Sequence, residues 1–191
     1  AAVAAMSRTD AADALVQRGD AEVAIRADLA DRAALRAGFD RAIGALGGRI
    51  DILVNCAGIQ RRHECEDFPI DDWDEVLEVN LTATFELCQL AGRAMLARGR
   101  GKIINIASML SFFGGIRVPA YAASKGGVMQ LTRALANAWG GRGVQVNALA
   151  PGYMTTEMNA ALLADAERSA SILARIPAGR WGEAKDIVGP C

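Results

Sequence analysis

Short apolar runs alternate with longer mixed runs along this chain. The apolar runs are Ala1-Ala-Val-Ala-Ala5, 21–27, Ile50-Asp-Ile-Leu-Val-Asn55, Lys102-Ile-Ile-Asn-Ile-Ala107 and Val144-Gln-Val-Asn-Ala-Leu149. Most are rich in β-branched residues and flanked by Gly, Asp or Pro, which reads as strands. The 102–107 run is apolar enough to read as a strand buried on both faces. Between the strands the spacing turns helical: 10–18 closed by Gly19, 31 to about 46, about 72–97, 121 to about 139, about 159–174, and a start near Asp186. Asp31 is placed to cap the second of these. Strands alternating with such helices predict an α/β fold, a doubly wound parallel sheet with helices on both faces, Rossmann-like. No repeat or linker divides the chain, so 1–191 reads as a single dinucleotide-binding, catalytic domain.

Chemistry concentrates around the fourth strand. Ser108 follows it directly, and Tyr121 stands four residues before Lys125 in the next helical run. That spacing places phenol and ammonium on one helical face. A tyrosine titrates near ~10 in water, and a neighbouring cation favours the phenolate, so this tyrosine is expected to exchange a proton near neutrality. Such a pair also occurs on exposed helices; Ser108 at a strand end changes its weight, because open α/β sheets bind ligands along that edge. Asp28, Asn55-Cys-Ala-Gly58 and Pro151-Gly152 also follow strands. Each alone reads equally as an ordinary turn, and together they outline one carboxyl edge.

Composition narrows the partners. Of 191 residues, 52% are hydrophobic and 23% charged, enough for a sizeable core. The net charge of −1, with both signs mixed, offers no face for nucleic acid. No apolar run is long enough for a bilayer. Cys56, Cys65, Cys88 and Cys191 show no paired metal or redox spacing, and His63 is the only histidine, so no metal site is expected. Free thiols suit a cytoplasmic setting. A strand at the start without Met and a helix cut off near Cys191 read as an internal piece of a longer protein.

The Ser108, Tyr121 and Lys125 spacing resembles that of the short-chain dehydrogenase/reductase family, and the resemblance extends over nearly the whole chain. Asn55-Cys-Ala-Gly58 is similar to the family's Asn-Asn-Ala-Gly turn, with Cys56 replacing the second Asn. It implies that Asn55, Ala57 and Gly58 pack on the adenosine side of a NAD or NADP cofactor. Asp28-Leu29 resembles the pair that contacts adenine. Asn80, in Glu78-Val-Asn-Leu81, is similar to a mid-helix Asn whose backbone helps hold a water near the lysine. Pro151-Gly-Tyr-Met-Thr-Thr156 resembles the turn for the nicotinamide carboxamide, contacted through Pro151, Gly152, the Met154 backbone and the Thr156 hydroxyl. The resemblance implies that Ser108 and Tyr121 hold the reacting oxygen, and that Tyr121 passes the proton. Lys125 lowers the tyrosine's pKa and binds the ribose, and Asn80 sustains a water relay. It also implies a homotetramer packed through the 72–97 and 121–139 helices. The family's glycine-rich phosphate turn is expected before Ala1 and its last strand after the Asp186 helix. Residues 1–191 alone are therefore expected to bind dinucleotide weakly.

Further strings resemble one group within that family. Gly58-Ile-Gln-Arg-Arg62, Ser108-Met-Leu-Ser-Phe112, Gly115-Ile-Arg-Val-Pro119 and Arg175-Ile-Pro-Ala-Gly-Arg-Trp-Gly182 are similar to the 2-deoxy-D-gluconate 3-dehydrogenases, also called 2-dehydro-3-deoxy-D-gluconate 5-dehydrogenases. The implied substrate is a sugar acid held near Ser108, Met109 and Tyr153. Arg61, Arg62 and Arg117 would offer guanidinium forks to its carboxylate. In Ala5-Met-Ser-Arg8 there is no acid for a ribose hydroxyl and one Arg, so Ser7 and Arg8 lean towards NADP, although that group more often uses NAD. Two alternatives remain: a reductase of 3-oxoacyl thioesters, and a non-catalytic dinucleotide-binding protein.

Overall fold

The structure is a computed structural model that describes residues 1–190; the expectation for Cys191 lies outside the described residues. Strands β1 (Ala4–Ser7), β2 (Val23–Arg26), β3 (Ile52–Asn55), β4 (Gly101–Ile106) and β5 (Val144–Leu149) alternate with helices. These include α1 (Ala11–Gln17), α2 (Arg32–Ala45), α3 (Ile70–Leu77), α4 (Ala83–Arg98), α5 (Leu110–Phe113) and α6 (Pro119–Trp139). Beyond β5 come α7 (Ala160–Ala164), α8 (Ala166–Leu173) and α9 (Lys185–Val188). Every strand pair is parallel, giving the Rossmann-like α/β fold with helices on both sides.

The strands form two ladders, β1–β2 and β3–β4–β5, and no ladder joins β1 to β3 among the described residues. In the larger one, Asn55 faces Asn105 and Ile106 faces Leu149, so the chain leaves all three strands at the same edge. The core lies behind it: Leu35 and Phe39 of α2, Leu87 and Met95 of α4, Ile103, Val144 and Val146. Truncating a fully buried Leu35 to Ala should cost about 2–5 kcal/mol. Between α6 and β5, a Cβ on Gly143 would stand 1.9 Å from the Gly99 carbonyl oxygen, and its φ is +83°, so only glycine fits.

Four expectations need correction. The first strand occupies 4–7 rather than 1–5, because only β2 lies beside it to set its length. The 102–107 strand is not buried on both faces: Gly101, Ile103 and Asn105 are buried, Ile104 and Ile106 are half-buried, and Lys102 reaches solvent beside Gln145. The 72–97 helix is three pieces, α3, a π-turn over Glu78–Thr82, and α4, ending at Gly99 in the left-handed conformation. The 159–174 helix breaks at Asp165, which takes extended backbone angles and caps α8 by accepting from the Arg168 N–H at 3.0 Å. Unforeseen, α5 occupies what read as a plain loop.

Candidate active site

The site is assembled where β4, α6 and the π-turn meet. Ser108 leaves β4 into a tight turn: its hydroxyl accepts from Leu110 N–H at 3.1 Å, and its own N–H donates to Ser111 Oγ at 3.2 Å. Ser111 in turn donates to the Lys125 carbonyl at 2.8 Å, tying this turn to α6. Met109 N–H donates to the Pro151 carbonyl at 2.9 Å, which links the Ser108 turn to the loop after β5.

The Ser108 side chain lies close enough to the Tyr121 phenol to lower its pKa. Lys125 lies beneath them, 4% exposed, with Nζ donating to the Ile106 carbonyl at 2.6 Å. Nζ is 5.9 Å from the Tyr121 ring centroid. Burial pushes Lys125 down to about 8, with Cys56 opposing that fall. The expected lowering of Tyr121 is not found. Burial raises its pKa above the ordinary phenol value, and the neighbouring Ser108 hydroxyl only partly offsets this. The ammonium is spent on the Ile106 carbonyl, so desolvation wins over the attraction expected from helical spacing. Tyr121 is therefore protonated at neutral pH, the form that can donate a proton.

Asn80 is fully buried in the π-turn. Its side chain clasps Ile59 like a strand partner: Oδ1 accepts from Ile59 N–H at 2.8 Å and Nδ2 donates to the Ile59 carbonyl at 2.9 Å. Nδ2 also donates to Ser124 Oγ at 3.0 Å, and that hydroxyl donates to the Tyr121 carbonyl at 2.8 Å. The Asn80 carbonyl accepts from Thr84 Oγ1 at 2.9 Å. Gly58 packs alongside: a Cβ there would lie 3.4 Å from Asn80 Oδ1 and 3.6 Å from Lys125 Nζ. Ser111 and Ser124, which brace Lys125 and Tyr121, escaped the sequence reading. Their only signal was a serine three positions from each reactive residue, too common to use.

Two cavities are both lined by Ile59, the residue that Asn80 clasps. One, of about 370 Å³, gathers Ser7 and Arg8 from the end of β1, Asp28 and Leu29 from the end of β2, and Ala57 and Gly58 beyond β3. These residues fit the adenosine end of a dinucleotide. Arg8 is half exposed at the mouth, with Glu75 no nearer than 4.0 Å. Asp28 is partly engaged, accepting from Ala30 N–H at 2.9 Å. Asn55 turns inward instead, donating to Asn105 Oδ1 at 2.8 Å, while its own Oδ1 is buried without a partner among the described residues. At the turn after β5, Gly182 is pinned against Tyr153 and Thr155 by hydrogen bonds of 2.9 and 2.8 Å. This leaves the Met154 N–H and the Thr156 hydroxyl without hydrogen bonds among the described residues.

The second cavity, of about 630 Å³, is lined by Gln60, Arg61, Arg62, His63, Asp72 and Met158 together with Ile59. Here the three expected arginines separate. Arg61 is held by Glu75 at 2.7 Å and Asp72 at 3.6 Å, and Arg117, at φ 66°, by Glu64 at 3.0 Å. Their guanidiniums are engaged by carboxylates that the fold brings in from α3 and the neighbouring loop. Arg62 has no such partner among the described residues.

Parallel strands carrying a Ser–Tyr–Lys set at their carboxyl edge, beside a cavity that fits an adenosine, define a nucleotide-dependent dehydrogenase scaffold. The family model for short chain dehydrogenase matches residues 1–167, and the chain belongs to that family. It is 60% identical over 141 residues to the 2-dehydro-3-deoxy-D-gluconate 5-dehydrogenase of Bacillus subtilis, covering 74% of this chain and 56% of that relative. To the Escherichia coli enzyme of the same name it is 49% identical over 183 residues, 95% of this chain and 72% of that one. Among solved structures, a gluconate 5-dehydrogenase from Burkholderia cenocepacia in complex with NADP and tartrate is 42% identical with a TM-score of 0.91. That match covers 100% of this chain and 76% of the other. A Beutenbergia cavernae structure with bound NADP is 51% identical with a TM-score of 0.90, covering 99% and 77%.

Proposed function

We propose that this chain carries the catalytic core of an NAD(P)-dependent oxidoreductase. It moves a hydride between the nicotinamide and a hydroxyl or ketone of a sugar acid such as 2-dehydro-3-deoxy-D-gluconate. The observation that carries the reading is Tyr121 beside Ser108 and a buried Lys125 at the carboxyl edge of the sheet, with Gly58 packed next to Lys125 and lining an adenosine-sized cavity. The names of the relatives, and the tartrate and NADP held by a structural neighbour, support the substrate and cofactor classes.

The nicotinamide supplies or accepts the hydride; the remaining work falls to this chain's side chains. In reduction, the Ser108 hydroxyl donates to the carbonyl oxygen and Tyr121 gives its proton to that oxygen as negative charge develops there. In oxidation the same phenol oxygen receives the proton. Lys125 binds the ribose next to the nicotinamide, where its charge stabilises the phenolate left after transfer. The Asn80 backbone would help hold a water near Lys125, and through that water the proton would pass from Lys125 to solvent. The Met154 N–H and Thr156 hydroxyl hold the carboxamide. Ser7 and the Arg8 guanidinium bind a ribose 2′-phosphate, which favours NADP.

Three free thiols, Cys56, Cys65 and Cys88, suit a cytoplasmic protein, and no described helix is long and apolar enough to cross a membrane. A homotetramer would pack α4 and α6 against their copies and cover Phe85 of α4, which is 44% exposed. The test is turnover by the full-length protein across a panel of sugar acids, neutral sugars and 3-oxoacyl thioesters with both cofactors. Turnover restricted to sugar acids is expected; turnover of thioesters alone, or none at all, would overturn the reading.

A further inference from the structure

Ser108 and Lys125 belong to different elements, and one side chain joins them. Ser108 follows β4, Lys125 lies in α6, and Ser111 stands between them in α5. Ser111 binds both backbone polar groups of Ser108: its Oγ accepts from the Ser108 N–H at 3.2 Å, and its N–H donates to the Ser108 carbonyl at 2.9 Å. The same Oγ donates its proton to the Lys125 carbonyl at 2.8 Å. One hydroxyl is thus acceptor and donor at once, which fixes its direction. The two elements meet closely here: a Cβ on Gly126 would lie 3.9 Å from the Ser111 carbonyl oxygen, so α5 rests on α6 at a residue without a side chain.

The turn held in this way aims Ser108. Its hydroxyl accepts from the Leu110 N–H at 3.1 Å, which leaves the hydroxyl proton for another acceptor. Ser108 is 8% exposed and Lys125 4%, so bulk water is poorly placed to replace a lost contact between them. The fold itself is keyed elsewhere. Asn105 is fully buried, accepts from Asn55 Nδ2 at 2.8 Å, and donates to Thr132 Oγ1 at 3.0 Å, further along α6. That network joins β3, β4 and α6 without Ser111, whose hydroxyl acts on the Ser108 turn.

We propose that Ser111 is a positioning residue for proton transfer: its hydroxyl holds Ser108 in register with Tyr121 and Lys125, so that one reacting oxygen meets the serine and the tyrosine together. This rests on the oxidoreductase reading above and deepens it. Ser111 lines neither cavity, so its hydroxyl serves the chemical step rather than the binding of cofactor or substrate.

The experiment compares wild type, Ser111→Ala and Ser111→Thr in the full-length protein. It measures the single-turnover reduction rate, KM for cofactor and sugar acid, the urea midpoint, and the NMR signals of tyrosine labelled at Cζ. The Tyr121 signal is assigned by its loss in Tyr121→Phe. Ser111→Ala should fold and lower the chemical rate about ten- to a hundredfold, the effect of a displacement of about 1 Å, with both KM values within about twofold. Ser111→Thr keeps the hydroxyl and should recover most of the rate. At neutral pH without substrate, the Tyr121 signal should shift in Ser111→Ala and return in Ser111→Thr. An unchanged rate in Ser111→Ala, a loss that Ser111→Thr does not recover, or a Ser111→Ala protein that does not fold would overturn the positioning role. The two readings fail separately. A Tyr121 signal that depends on the Ser111 hydroxyl, in a protein that turns over no sugar acid, would keep the positioning role and remove the proposed substrate. Sugar-acid turnover at an unchanged rate in Ser111→Ala would remove the positioning role alone.

Discussion

Replacing Lys125 by Met should stabilise this protein while removing its chemistry. Lys125 is 4% exposed, and its pKa falls from 10.5 to about 8. That fall corresponds to roughly 3 kcal/mol by which the native state disfavours the charged amine. Met keeps the length of the side chain without its charge. It gives up the hydrogen bond to the Ile106 carbonyl, a loss of about 1–2 kcal/mol. The net expectation is a gain of about 1–2 kcal/mol at neutral pH. The sign of the pH dependence follows from the lowered pKa. Between about 8 and 10.5 the unfolded chain binds more protons at this site than the folded one, so wild-type stability from this group rises with pH across that window. The advantage of the Met variant should be constant below about 8 and shrink above it. Urea denaturation of both proteins at a series of pH values, from neutral to about 10, measures this directly. A Met variant less stable at neutral pH, or a gap that does not narrow as pH rises, would refute the argument from burial.

Asn80→Ala should leave the Ile59 backbone groups unsatisfied and cost about 2–4 kcal/mol, seen as a lower denaturation midpoint; an unchanged midpoint would show that Ile59 finds other partners. Arg8→Ala should weaken NADP about ten- to a hundredfold while leaving NAD nearly unaffected, read as kcat/KM for each cofactor. Equal losses for both would remove Arg8 from cofactor choice.

The strand over 144–149 was legible to the residue because a β-branched run lies between Gly143 and the turn at Pro151. Helix α2 was legible from its Asp31 cap, which accepts from the N–H groups of Ala33 and Ala34 at 2.8 and 3.0 Å. The meeting of Ser108, Tyr121 and Lys125 followed from one strand end and one helical spacing. Other features depend on what the fold brings together. The π-turn around Asn80 inserts one residue into a run of Leu, Ala and Thr whose pattern survives the insertion. Which of Arg61, Arg62 and Arg117 is unpaired depends on where Glu75, Asp72 and Glu64 arrive. Spacing placed Lys125 near Tyr121, but the direction of the tyrosine's pKa depends on burial, which spacing does not report.

The central claim is that Tyr121, beside Ser108 and a buried lysine, passes the proton during hydride transfer to a sugar-acid carbonyl. The most direct measurement is single-turnover reduction by the full-length Tyr121→Phe variant, with cofactor binding measured in parallel. Phe keeps the packing and removes only the hydroxyl. The account predicts a rate lower by about three orders of magnitude or more, with cofactor affinity within a few-fold of the wild type. A reduction rate near that of the wild type, with cofactor bound normally, would contradict it.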